Sequence, residues 1–183
     1  MTEISERYAR RAAAFADKVA AVPEDGWSAP TPCEDWTARD IVRHVVDSQG
    51  MFLGFVGQEI GELPSVDDDP LGAVQAATGR ILQDLEDPER ATASYDGFMG
   101  TSTFEAGVNQ FLAADLVIHG WDLARATGQD DTIADQDLAE VQEAVKHFPE
   151  EAMRSPGAFG PEIEAPADAS DQDKLMAFLG RQP

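Results

Sequence analysis

The sequence predicts an all-α protein, a bundle of long amphipathic helices, on three observations. Apolar residues recur at steps of three and four through four long segments, the spacing that returns side chains to one face of an α-helix. Proline and glycine punctuate the gaps between those segments. One stretch, ATASYDGFMGTST at 91–103, lacks the helical period and carries Gly, Thr and aromatic residues. It predicts a small hairpin or extended loop.

The first helix follows from Ile4, Tyr8, Ala12, Phe15, Val19 and Val22, and Pro23 ends it. The loop EDGWSAPTPCEDW comes next, with Trp27 and Trp36 expected to pack it against the bundle. Thr37 opens the second helix, with Asp40 three residues on as the other half of a capping box. Its buried stripe is Ile41, Val45, Phe52 and Val56, with His44 and Ser48 on the same side. Gly61 and Pro64 mark its end, before the acidic loop VDDDP. A third helix begins near Leu71 on Leu71, Val74, Thr78, Ile81 and Leu85, and Pro88 stops it. The fourth long helix runs from about Thr103 to Thr127, with Gly128 as its C-cap. A fifth runs from about Asp135 to His147 on Leu138, Val141, Val145 and Phe148. The tail from Pro149 is rich in Pro, Gly, Ala and Asp and ends in a short helix, DQDKLMAFLG. There is no repeat of fixed period, and residues 1–183 read as a single domain.

The chain has 183 residues, of which 43% are hydrophobic, enough for a sizeable core. It carries 13 Lys and Arg against 35 Asp and Glu, a formal charge of −22. Nothing resembles the basic face that a nucleic-acid binder needs. The same acidity argues against docking on anionic lipid. The single cysteine, Cys33, precludes an internal disulfide and fits a reducing, cytoplasmic location. MTEISERYARR has no apolar core of a signal peptide, and no 18-residue apolar run could span a membrane.

Histidine is scarce, with only His44, His119 and His147. His44 points inward with the stripe of the second helix. Asp115 precedes His119 by four, so both project from one face of the fourth helix. An Asp on an apolar stripe costs several kcal/mol if buried unpaired. A metal ion would compensate it. Asp-x-x-x-His supplies two ligands and His44, from a facing helix, a third. The alternative is plainer: Asp115 only orients His119 by a hydrogen bond within the helix, and His44 is a satisfied core histidine. Asp122 is a candidate partner holding a ligand histidine in one tautomer, or a surface acid. Trp121 either walls the pocket or packs in the core. Cys33 is a candidate nucleophile, opposed by the neighbouring Glu34 and Asp35, or a structural loop residue. Arg43, Arg80 and Arg125 are candidate anion clamps or solvated surface residues. His147 reads as a surface residue near a helix C-terminus. No Gly-rich phosphate loop, GxSxG elbow or EF-hand loop is present.

Two stretches together resemble a known family. TPCEDWTARDIVRHVV is similar to the signature around the first histidine of the mycothiol-dependent maleylpyruvate isomerase N-terminal domain family, one of the DinB-like metal-binding helical bundles. DLVIHGWDLARATGQ resembles its second signature. The ending FGPEIEAPADASDQDKLMAFLGRQP resembles the tail of an uncharacterised actinobacterial subgroup. The resemblance implies an up-down-down-up four-helix bundle, here with short additional helices. It implies a divalent metal, zinc by preference and nickel or iron as alternatives, held by His44, Asp115 and His119. It also implies mycothiol as co-substrate, activated on the metal as thiolate to attack a small electrophile. Asp115 stands where the isomerase has glutamate. The isomerase also has a separate C-terminal domain that this chain lacks, so maleylpyruvate isomerisation itself is not expected.

The expected activity is therefore that of a metal-dependent thiol transferase or isomerase. The alternatives are a non-catalytic metal- or small-ligand-binding module, acting as a sensor or binding a partner, and a helical interaction protein without metal. The expected partners are a small thiol and an electrophilic substrate. Homodimerisation is left open.

Overall fold

The computed structural model describes residues 1–97, 100–154 and 159–183. Helix α1 (Glu3–Ala20) starts at a reciprocal cap. Ser5 N donates to Thr2 Oγ1 at 3.2 Å, and Thr2 N donates to Ser5 Oγ at 2.8 Å. Helix α2 (Ala38–Phe55) starts at the predicted box: Thr37 N donates to Asp40 Oδ2 at 3.0 Å. Helix α3 (Pro70–Glu86) has Pro at its first position, where no N–H partner is needed, and an Asp69 cap. A short α4 (Pro88–Ala91) follows. The expected hairpin is present as β1 (Ser94–Gly97) paired antiparallel with β2 (Gly100–Thr103), Ser94 opposite Thr103. The two residues of its turn, Phe98 and Met99, lie outside the described residues.

The predicted fourth helix is not continuous. It comprises α5 (Phe104–Gly107), a π-helical turn (Val108–Leu112) and α6 (Ala113–Thr127), closed by Gly128 at φ +70°. The wider turn sits immediately before Asp115. Such turns re-aim the side chains that follow and recur at functional sites. Helix α7 (Asp135–Lys146), short α8 (Glu150–Met153) and α9 (Asp171–Phe178) complete the order.

The four long helices form a ring, in which α1 packs on α3 and α6, and α2 packs on the same two. Their stripes meet in one core around Tyr8, Phe15, Ile41, Leu53, Ile81, Phe104, Leu112 and Leu116. A second cluster lies behind α6. There Ala114, Ile118 and Trp121 meet Val141 and Val145 of α7 and Leu175 and Met176 of α9. Helix α6 is thus covered on two sides, which explains why its buried set is wider than one stripe.

Charged groups inside the fold come in paired sets. Arg11, on α1, gives hydrogen bonds to Asp137, Glu140 and the carbonyl of Ala113, tying α1 to α6 and α7. Asp84, fully buried, is met at Oδ1 by Arg80 and Arg90, while its Oδ2 accepts no hydrogen bond. Removing one member of such a set leaves an unpaired buried charge, which typically costs about 3–5 kcal/mol.

Candidate metal centre

Helix periodicity places His44 and Ser48 one turn apart on α2, and Asp115 and His119 one turn apart on α6. Packing of α2 on α6 brings the two pairs together. Nε2 of His44 lies 3.5 Å from Asp115 Oδ2, and Nε2 of His119 lies 3.3 Å from Asp115 Oδ1. One ligand atom from each residue falls within 4.8 Å of the other two. Asp115 Oδ2 is buried and accepts no hydrogen bond. Two imidazole nitrogens and a carboxylate oxygen converge here around an unsatisfied acceptor, a donor set suited to a divalent ion. His119 is closed off, with 6% of its side chain exposed, while His44 and Asp115 keep 31% and 22%. The centre therefore opens on the His44–Asp115 side.

The electrostatics follow from this packing. Burial alone would push the Asp115 carboxyl up, but His119 and His44 outweigh it and hold it well below the usual carboxylate range. Burial opposes charge on His119, yet Asp115 and Asp122 raise it well above the ordinary imidazole value. Beneath the centre, Tyr8 donates to Gln49 Oε1 at 2.7 Å. Burial and the nearby Asp115 charge push the Tyr8 phenol up, so it remains a neutral donor.

The far side of His119 is as closely built. Asp122 is fully buried, and its Oδ2 lies 2.9 Å from His119 Nδ1. An ionised carboxylate only accepts, so Nδ1 carries a proton, and Nε2, 3.3 Å from Asp115 Oδ1, is the nitrogen left to face a metal once its own proton is displaced. Cys33 Sγ donates to the same Oδ2 at 3.3 Å. Arg181 grips both carboxylate oxygens, Nε on Oδ1 at 3.2 Å and Nη2 on Oδ2 at 3.0 Å. Against burial, His119 and Arg181 hold the Asp122 carboxyl below its ordinary value. Trp36 covers the imidazoles, its ring 4.8 Å from that of His44 and 5.9 Å from that of His119.

Of the residues singled out from sequence, His44, Asp115, His119 and Asp122 come together. Trp121 and Arg80 do not join them. Trp121 is buried behind α6 among residues of α7 and α9, one helix position from Asp122 but facing the other cluster. Arg80 is engaged by Asp84 and Gln58 on the α3 side. Arg43 pairs with Asp40 and Asp67, and Arg125 with Asp131. His147 is exposed and meets Glu143, as a surface residue should.

Cys33, weighed from the sequence as a nucleophile or a loop residue, joins the site beside Asp122 together with Trp36 and Arg181, which sequence reasoning left out of it. Cys33 and Trp36 arrive through a tight loop. Pro30 bridges Thr37, Trp36 N donates to Cys33 O at 3.1 Å, and Asp35 takes φ +65°. Asp tolerates that left-handed conformation better than most residues, and the turn it permits presents Cys33 and Trp36 inward. The only signal in the sequence was their closeness to the cap at Thr37. Arg181 stands directly after Gly180, which marks a helix end, but nothing in the chain order names its partner 59 residues away.

The family model of the mycothiol maleylpyruvate isomerase N-terminal domain matches residues 8–124, more than half of the chain. That span contains His44, Asp115, His119 and Asp122 and stops short of Arg181. Two uncharacterised proteins of Mycobacterium tuberculosis, from strains CDC 1551 and H37Rv, are each 31% identical over 169 residues, covering 92% of this chain and 92% of their own. No solved structure matches the chain. The fold is an all-α, DinB-like helical bundle, and the chain belongs to the mycothiol maleylpyruvate isomerase N-terminal domain family, which is linked to mycothiol and to metal binding.

Proposed function

We propose that the protein binds one divalent metal, zinc by preference, through His44, Asp115 and His119, and uses it to present a mycothiol-type thiol to a small electrophile. The observation that carries this reading is the buried, unpartnered Oδ2 of Asp115 beside two imidazole nitrogens. Without a metal that oxygen accepts no hydrogen bond, and His44 Nε2 comes only to 3.5 Å from it. A cation answers it. A bound ion would act as a Lewis acid that holds a coordinated thiol as thiolate.

The chain's own residues prepare the place. Asp122 holds the proton of His119 on Nδ1, which fixes the ring and leaves Nε2 as the ligand atom. Trp36 shields the imidazoles from water on one side. The half-exposed His44 and Asp115 leave an approach for the thiol. Toward the end of α2, more than two helical turns from His44, lies a separate cavity of about 230 Å³. Phe52, Phe55, Tyr95 and Phe111 line it together with Ser102 and Thr101. That size suits a small, partly apolar molecule.

Metal analysis of the purified protein tests the first half, with about one equivalent of divalent metal expected. His119→Ala should lose it with helical content unchanged. A metal-free preparation that stays metal-free when offered zinc would sink the reading. Mycothiol consumption with a panel of electrophiles tests the second half. Bound metal without metal-dependent thiol loss would leave a binding module instead of an enzyme.

A further inference from the structure

We propose that Arg181, in the C-terminal tail, is a positioning residue for His119, acting through Asp122. The proposal rests on the metal-binding reading of His44, Asp115 and His119. It extends the centre to a segment 57 residues beyond the family match.

The tail is built to deliver this side chain. After α9 the chain closes in a glycine-dependent turn: Arg181 N donates to Met176 O at 2.8 Å, and Gly180 N to Ala177 O at 2.9 Å, with Gly180 at φ +80°. A Cβ on Gly180 would lie 2.7 Å from the backbone of Gly160, so only glycine lets the two tail strands cross there. Ile163 N donates to Ala177 O at 2.9 Å, and Arg154 Nη2 to Phe178 O at 2.9 Å. The turn sends Arg181 inward, where its guanidinium lies 5.4 Å from the Phe159 ring centre and Nη1 donates to Leu179 O at 2.9 Å. Only 5% of the residue remains exposed.

What it does there follows from hydrogen-bond inventory. Asp122 Oδ2 receives His119 Nδ1–H, Cys33 S–H and one arm of Arg181, while Oδ1 receives the other arm. A two-armed guanidinium fixes the plane of a carboxylate, which one contact cannot do. It also cancels the carboxylate's charge locally, so Asp122 aligns the imidazole as an acceptor without being a second uncompensated anion. Arg181 Nη2 lies 3.4 Å from Cys33 Sγ as well, holding that thiol's proton toward Asp122. A purely structural role would require only a cation near Asp122. The shared oxygen requires an oriented one.

The test compares wild type with Arg181→Met and Arg181→Lys. In each metal-free protein, ¹⁵N NMR of His119, recorded at a pH high enough for the ring to be neutral, reads the tautomer. Chelator competition then gives zinc affinity, and the cobalt-substituted spectrum reports coordination. Wild type should show the Nδ1–H tautomer. Arg181→Met should lose that preference and bind zinc about 10- to 100-fold more weakly, the usual effect of removing a group that orients a ligand. Arg181→Lys keeps the charge without the fork and should recover only part of both. A folded Arg181→Met protein with the wild-type tautomer and zinc affinity would overturn the proposal. Were that variant unfolded, wild-type behaviour of Arg181→Lys in both measurements would overturn it instead. A wild type that binds no metal would remove the metal reading, and the tautomer comparison would still decide what Arg181 does.

Discussion

A carboxylate on a buried seam needs partners, and Asp115 has His119 at 3.3 Å from Oδ1 and His44 at 3.5 Å from Oδ2, which accepts no hydrogen bond. Its four-residue spacing from His119 is helix arithmetic, and His44 faces both because α2 lies on α6. The corresponding expectation is a ligand effect on stability. A metal that binds only the folded state stabilises it by about 2.7 kcal/mol at 100 times its Kd. Zinc should therefore raise the melting temperature of wild type, and Asp115→Ala should abolish that rise. An equal zinc shift in the variant would place the ion elsewhere. Cys33 adds a second lesson at this scale. Its thiol is spoken for by Asp122 and Arg181, which favours a supporting role in the site over the attacking one.

Elements matter next, and α6 is the one that organises the molecule. It buries one face against the four-helix core and another against α7 and α9, and it carries the site residues on the seam toward α2. The π turn before it was hidden in the sequence, because an inserted residue changes phase without changing composition. Helix α7 is fastened by Arg11, whose Nε meets Asp137 Oδ1 at 2.7 Å. Burial pushes the Asp137 carboxyl up, but Arg11 and Arg10 hold it below its ordinary value of 3.8. The native group ionises more readily than the unfolded one. Its contribution is thus fully present above pH 3.8 and is lost as pH falls through the lower native value. Asp137→Asn should cost about 1.5–3 kcal/mol at neutral pH, the range for hydrogen bonds to charged groups, and should flatten the acid limb of urea-measured stability. An unchanged acid limb would assign that limb to other carboxylates. At the other end of the second cluster, Gly180→Ala forces a side chain into the left-handed region at about 1–2 kcal/mol and into contact with Gly160. It should lower the melting temperature and loosen zinc together, and loss of stability alone would uncouple the tail turn from the metal site.

For the whole molecule the net charge of −22 dominates the long-range field. The charge excess lies mostly on exposed acids, while the described buried carboxylates, Asp84 and Asp122, are paired with arginines. Self-repulsion destabilises a compact state and is screened by salt over about 10 Å at 0.1 M. Raising sodium chloride from about 10 to 150 mM should therefore raise the melting temperature. A fall would mean that attractive surface pairs outweigh the repulsion. Among the described residues no helix is long and apolar enough to cross a membrane.

The sequence by itself determined the all-α class, the four long helices with their caps at Thr37 and Gly128, the hairpin, and the ligand spacing within α6. These are local matters, since periodicity, capping and turn chemistry act over a few residues. His44 could be paired with Asp115 and His119 only as a candidate, for spacing within a helix says nothing of which helix faces it. The inward turn of Cys33 and Trp36, the burial of Trp121 on the opposite cluster, and the reach of Arg181 to Asp122 were decided by tertiary structure. Each depends on contacts between segments far apart in the chain, set by how α6 is covered on two sides and by a tail that folds back only because Gly180 can cross Gly160.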